Sequence, residues 1–151
     1  IAIYLKIADI SLKMENKDDA VFYYNKVLEG KDNITALNNL AYIYTEKNNY
    51  TKATDFAIKA YQLAAYIPAI ADTYGNLLLK QGNFKKALVV LEKAAKLHRQ
   101  SFDVQVHYAE ALALNGKKAE GIKVLNGVIS RTKNLERKER ASHILTGMQK
   151  K

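Results

Sequence analysis

The side chains that most often carry catalysis or bind metals are few in this sequence and are not arranged for either task. The 151 residues include three histidines, His98, His107 and His143, and no cysteine. No two histidines have the spacing that brings two ligands to one metal ion, and there is no cysteine to supply the others. The pair Gly116–Lys117 lacks the upstream glycine and the following Ser or Thr of a phosphate-binding loop. We therefore expect a protein that is not an enzyme and that needs no metal or other cofactor.

Positive charge is the chemical feature that stands out, and it is concentrated in the second half of the chain. Residues 1–75 carry 8 basic and 9 acidic side chains, whereas residues 76–151 carry 16 basic and 6 acidic, so that the net charge is +9. A positive field attracts polyanions, which makes acidic polysaccharide, nucleic acid, an anionic membrane surface or an acidic protein possible partners. A solvated helix face that only keeps the protein soluble explains the same residues. The candidate basic patch comprises Lys85, Lys86, Lys93, Lys96, Arg99, Lys117, Lys118 and Lys123.

Small residues recur along the chain at a fixed interval. One set is Ala20, Ala53, Ala87 and Gly121, and a second set is Ala8, Ala41, Gly75 and Ala109. Successive members of both sets are 33, 34 and 34 residues apart. Because two positions keep the same register through four copies, the chain is predicted to consist of four internal repeats.

Each repeat has the pattern of two helices joined by a tight turn. Apolar residues recur at helical spacing in both halves of a repeat, and a short polar segment rich in Asn and Gly separates the halves. These segments are 15–17, 47–49, 81–83 and 115–117. The pattern predicts an all-α chain with units at about 1–33, 34–67, 68–101 and 102–134, and Pro68 begins the third unit. A unit of this size cannot bury its apolar face alone, so the units must stack.

The repeat resembles the tetratricopeptide repeat. In the third unit the residues that carry the resemblance are Tyr74, Gly75, Leu78, Gly82, Phe84, Ala87, Leu91 and Ala94. The fourth unit departs from the pattern, with Gly121 where Ala is usual and Gln105 where a bulky residue is usual. The resemblance implies a right-handed α-solenoid of four helix pairs. Residues 135–151 are then expected to form a C-terminal capping helix and tail, with an apolar stripe of Leu135, Ala141, Ile144, Leu145 and Met148.

The resemblance also implies a concave groove, lined by the first helix of each pair, that binds a peptide or helix of a partner protein. Carried over by register, the groove residues are Asp9, Lys13, Asn38, Tyr42, Thr45, Asp72, Asn76, Lys80, Val106 and Glu110. These residues offer hydrogen-bonding groups, one aromatic ring and both signs of charge. They suit an extended or helical segment, so the chain is expected to be a scaffold for protein–protein interaction.

Four stretches of the chain are similar to the bacterial tetratricopeptide proteins of exopolysaccharide and PEP-CTERM/exosortase systems. They are Ala36–Tyr42, Ala57–Leu63, Ile70–Gly75 and Val106–Ala111. This similarity implies a part in exopolysaccharide assembly or export, in the periplasm or at a membrane; otherwise the cytoplasm is expected.

The first residues of the chain are apolar, with Ile1, Ile3, Tyr4 and Ile7 in a helical-looking stretch. We expect further repeats before Ile1 or self-association through this surface. No apolar run approaches the roughly 18–20 residues of a transmembrane helix.

Overall fold

The computed structural model describes residues 1–150, so that Lys151, the last residue of the predicted tail, lies outside them. Over that range the chain forms nine α-helices and no strand, which confirms the predicted all-α fold class. The helices are α1 (Ala2–Lys13), α2 (Lys17–Leu28), α3 (Ile34–Glu46), α4 (Tyr50–Ala64), α5 (Pro68–Lys80), α6 (Phe84–Leu97), α7 (Phe102–Leu114), α8 (Lys118–Arg131) and α9 (Leu135–Lys150). They belong to two compact units, residues 1–77 and residues 78 onward.

In the first unit, α1 packs against α2 and α3 packs against α4. The small residues predicted for these pairs, Ala8, Ala20, Ala41 and Ala53, are all fully buried. A side chain no larger than a methyl group lets two helix axes approach closely. Tyr24, Val27, Leu40 and Ile43 fill the space beside them.

Helix α5 joins the first unit through apolar contacts with α4. Ile70 packs in one cluster with Leu37, Ala60 and Ala64. The rings of Tyr61 and Tyr74 also meet, with 5.0 Å between their centroids.

In the second unit, α7 and α8 approach so closely that even an alanine methyl group would not fit at Gly121. A Cβ atom built at this glycine would lie 2.6 Å from the carbonyl oxygen of Ala109, its predicted small partner. The close packing of α7 against α8 thus explains why the fourth repeat has Gly at a position where Ala is usual.

Each of the four polar segments contains one residue in the left-handed conformation; it is Asn or Gly, as predicted, in three segments and Glu in the first. These residues are Glu15, Asn48, Gly82 and Gly116, with φ of 60°, 56°, 76° and 80°. In every turn the following residue donates its N–H to a carbonyl five positions back, for example Asn16 to Ser11 and Lys117 to Leu112. This is the Schellman pattern, which satisfies carbonyls left unpaired at a helix end.

The same turns also begin the next helix in the first unit. Asn16 and Asn49 directly follow the left-handed residues, and their side chains accept a hydrogen bond from the N–H of Asp19 and Lys52. One residue therefore ends a helix and its neighbour caps the next, which keeps the helix pairs tightly connected.

Helix α9 covers the end of the second unit. Ala141 is buried among Val106, Leu125 and Val128, and Ile144, Leu145 and Met148 pack beside it. The prediction that Leu135 shares this stripe is wrong, since its side chain is 70% exposed. Leu135 and Ala141 are six positions apart in the sequence. At 100° per residue, their side chains leave the helix in directions about 120° apart.

Candidate partner-binding surfaces

Asp9, a predicted groove residue, is held by the protein itself. The buried hydroxyl of Tyr24 donates to its Oδ1 at 2.7 Å and accepts from Asn39 Nδ2 at 2.6 Å. These contacts connect α1, α2 and α3 around one oxygen atom. Asp9 therefore serves the packing of the first unit, and Asn39 is equally engaged.

Asn38 and Tyr42, two predicted groove residues, lie one turn apart on α3. The Oδ1 atom of Asn38 is shielded from solvent and has no hydrogen-bond partner among the described residues. Tyr42 keeps 41% of its surface exposed. The exposed ring of Tyr42 is therefore the part of this surface that a partner can contact.

Negative charge surrounds Tyr42. Partial burial raises the pKa of its hydroxyl, and the carboxylates of Glu46 and Glu15 raise it further. The electrostatic contribution of Glu15 shows that the end of α1 lies near this ring. The surface made by Asn38, Tyr42, Glu46 and Glu15, which we call the α3 acceptor surface, thus presents mainly hydrogen-bond acceptors.

The remaining predicted groove residues differ in their exposure to solvent. Lys13 and Lys80 are exposed, whereas Asp72, Asn76 and Glu110 are half-buried. Lys80 and Glu110 belong to the second unit and the other three to the first.

The prediction that Thr45 and Val106 line the groove is wrong, because both side chains are buried and cannot contact a partner. Thr45 is 3% exposed, and its hydroxyl donates to the carbonyl of Ala41, which satisfies it inside the helix. Val106 packs against Leu125 and Ala141, since α9 covers that face of α7.

The predicted basic patch lies in the second unit. Lys85, Lys86, Lys93 and Lys96 fall within about 100° around α6 and are exposed. Arg99, Lys117 and Lys123 are also exposed, and Lys118 is half-buried. Lys96 forms an ion pair with Glu92 at 2.9 Å, which offsets part of the charge.

Among the described residues, no group of three or more His, Asp or Glu side chains is arranged to hold a metal ion. None of the helices within residues 1–150 is both long and apolar enough to cross a membrane.

Family models of the tetratricopeptide repeat match the chain at residues 1–29, 34–65 and 78–142. The chain is built of tetratricopeptide repeats. The matched segments include both helices of the α1–α2, α3–α4 and α7–α8 pairs.

Other proteins resemble the chain in sequence or in fold. An uncharacterized protein of Rickettsia prowazekii is 30% identical over 94 residues, which are 62% of this chain and 28% of that protein. A tetratricopeptide repeat protein from Parabacteroides merdae has a TM-score of 0.79 at 21% identity, over 98% of this chain and 58% of that one. YrrB, described as a tetratricopeptide repeat protein with an unusual peptide-binding site, has a TM-score of 0.72 at 20% identity, over 97% of this chain and 76% of that one. The chain thus spans little more than a quarter of the Rickettsia relative and just over half of the Parabacteroides protein.

Two features of the fourth tetratricopeptide repeat were not predicted from the sequence. Gln105 is buried, and its Nε2 donates to the carbonyls of Ala95 and His98 at 2.9 and 3.4 Å, so that it caps the end of α6. The guanidinium groups of Arg137 and Arg140 lie over the ring of Phe102, 5.3 and 5.5 Å from its centroid. The polar residue at a usually bulky position was the visible signal for Gln105, whereas nothing local indicated the arginine contacts.

Proposed function

We propose that this tetratricopeptide repeat protein is a non-enzymatic scaffold that binds a segment of a partner protein on the α3 acceptor surface. The observation that carries the proposal is the ring of Tyr42, which keeps 41% of its surface exposed close to the carboxylates of Glu46 and Glu15. Exposed tyrosines are among the side chains that contribute most to the binding energy at interfaces.

The chemistry of the surface defines the partner segment. The carboxylates of Glu46 and Glu15 are the acceptors that a partner can reach, so the segment must bring Lys or Arg side chains. An extended or helical peptide with basic residues meets this requirement. That the similar fold of YrrB has a peptide-binding site supports the choice of a peptide as the partner.

The test is selection of peptides from a displayed random library, followed by affinity measurements on variants. Tyr42→Ala should weaken the selected peptide at least tenfold, whereas Tyr42→Phe, which keeps the ring, should retain binding. Lys59→Ala, an exposed change on α4, is the control. Peptides that bind all variants equally, or that are not enriched in Lys and Arg, would contradict the proposal.

The basic patch supports a second candidate function, the binding of an acidic polymer. The exposed lysines on one side of α6 are the observation that favours it, because a row of positive charge attracts a polyanion. Titration with an acidic polysaccharide at two salt concentrations should give affinity that falls steeply with salt, and that a Lys85→Gln, Lys93→Gln variant reduces. Absence of binding at low salt would reject this function.

A role in bacterial exopolysaccharide assembly or export is the narrower form of the proposal. Its support is the similarity of the four short stretches that include 36–42 and 106–111. Deletion of the coding sequence in its host should reduce secreted polysaccharide, and unchanged polysaccharide would speak against it.

A further inference from the structure

A pocket of about 290 Å³ lies in the second unit, where the α6–α7 connection meets the α8–α9 connection. Four basic residues line it, Arg99, Arg131, Lys133 and Arg137, and no acidic residue does. Three of them lie outside the predicted basic patch, and the groove residues are elsewhere. We infer that this pocket, the α7–α9 cationic pocket, is a binding site for a phosphate group.

The charges of the pocket are not neutralised by the protein. No ion pair is formed by Arg99, Arg131, Lys133 or Arg137 within residues 1–150. The nearby carboxylate of Asp103 accepts a hydrogen bond from Arg140 at 2.7 Å, and neither residue lines the pocket. Four cations around one concavity repel each other, and an anion between them removes that repulsion.

One of these cations is held in place before any ligand arrives. The guanidinium of Arg137 lies over Phe102, 5.3 Å from the ring centroid, and its backbone N–H donates to Asn134 Oδ1 at 2.9 Å. An arginine fixed in this way loses less side-chain freedom when it binds an anion. Its planar guanidinium can donate two parallel hydrogen bonds to phosphate oxygens.

Neutral donors complete the pocket. Ser101 is the N-cap residue of α7, but its side chain accepts no hydrogen bond from that helix and can turn toward a ligand. The start of α7 also directs unpaired N–H groups and the positive end of the helix dipole to this side of the unit. Gln105 lines the pocket too, but its Nε2 is engaged by the carbonyls of α6.

The size and composition of the pocket favour a small group over an extended chain. Its volume is at the lower end of ligand pockets, which hold one small molecule or one group of a larger one. A phosphate matches the several arginines better than a carboxylate, because it has more oxygens and more charge to share among them. The ligand is therefore free phosphate or a phosphate carried by a larger molecule.

Titration of the ¹⁵N-labelled protein with inorganic phosphate at low ionic strength tests the site. We expect saturable shifts confined to amides of residues 99–105 and 131–137. Acetate at equal ionic strength should bind at least tenfold more weakly. Competition by O-phosphoserine would show that the pocket also takes a phosphate on an organic group, and its absence would restrict the site to free phosphate.

Two variants of equal charge separate the pocket from the general positive field. Arg99→Gln with Arg131→Gln should weaken phosphate binding at least tenfold, and it leaves the two arginines over the Phe102 ring, Arg137 and Arg140, unchanged. Lys31→Gln with Lys59→Gln removes the same charge from exposed positions outside the pocket and the basic patch and should change the affinity less than twofold. Equal weakening by both variants, equal binding of acetate, or shifts without saturation would overturn the assignment.

Discussion

At the scale of single residues, Tyr24 connects three helices of the first unit. Its hydroxyl is both donor and acceptor, to Asp9 on α1 and from Asn39 on α3, and the ring is fully buried. A buried hydroxyl of this kind contributes most when both of its hydrogen bonds are made, since each removed partner leaves another group unpaired.

Tyr24→Phe should lower the free energy of unfolding by about 1–3 kcal/mol, because it leaves Asp9 and Asn39 without their shared partner. Urea unfolding followed by circular dichroism measures the change. Tyr23→Phe is the matched control, because the hydroxyl of Tyr23 makes no hydrogen bond within residues 1–150. Equal losses in the two variants would contradict the role of this network.

The same residue predicts a pH dependence. Burial and then the hydrogen bond to Asp9 raise the pKa of Tyr24 above its ordinary value of 10.0. The folded state therefore favours the protonated form, so this contribution to stability is complete below pH 10 and is lost as the pH rises further. The difference in unfolding free energy between the wild type and Tyr24→Phe should shrink above pH 10, and a constant difference up to the highest accessible pH would contradict this.

Gly121 shows how one atom limits a helix pair. Gly121→Ala would place its methyl group 2.6 Å from the carbonyl oxygen of Ala109, and the resulting strain should cost about 1–3 kcal/mol. Gly147→Ala on α9 meets nothing within 4 Å and should stabilise the protein by about 0.5–1 kcal/mol through helix propensity. Thermal unfolding of the two variants must therefore shift in opposite directions; a shift in the same direction would contradict the proposed close approach.

At the scale of helices and turns, the features that the sequence predicted correctly are those that depend on neighbouring residues. The buried alanines and the left-handed turn residues each leave a local mark that four repeats copy, and repetition makes the mark visible. Thr45 and Val106 were placed wrongly because their burial depends on surrounding structure. The contacts of Gln105 and Arg137 could not be predicted from neighbouring residues either, because their partners lie on other helices.

Different residue types occupy the left-handed position in the four turns, and this difference leads to a prediction about stability. The Cβ atom of Glu15 makes its left-handed conformation at φ 60° sterically unfavourable, whereas Gly116 has no Cβ atom and adopts φ 80° without this cost. Glu15→Gly should raise the free energy of unfolding and Gly116→Ala should lower it, each by about 1 kcal/mol. Chemical denaturation of both variants measures this, with Ala119→Gly, an exposed change inside α8, as the control for glycine's own flexibility. Destabilisation by Glu15→Gly would show that its side chain contributes more than its backbone costs.

At the scale of the whole molecule, charge and apolar surface are distributed differently along the chain. The basic side chains concentrate after residue 75, and the first helix carries exposed apolar residues instead. Ile3 and Ile10 are 70% and 57% exposed, and a spacing of seven residues places them on one side of α1, while Met14, 76% exposed, directly follows the last residue of the helix. A row of this kind is a surface for protein contact, since burying each side chain contributes about 1.5–3 kcal/mol.

We predict that the chain associates through this row of α1 as its concentration rises. Sedimentation velocity should show a concentration-dependent increase in mass that Ile3→Lys with Ile10→Lys abolishes, because two charges would have to be buried in the contact. Leu63→Lys with Val89→Lys introduces the same charge at exposed aliphatic positions on α4 and α6 and should leave association unchanged. Loss of association in both variants would mean that net charge governs it, and a wild-type protein that stays monomeric at every concentration would contradict self-association through α1.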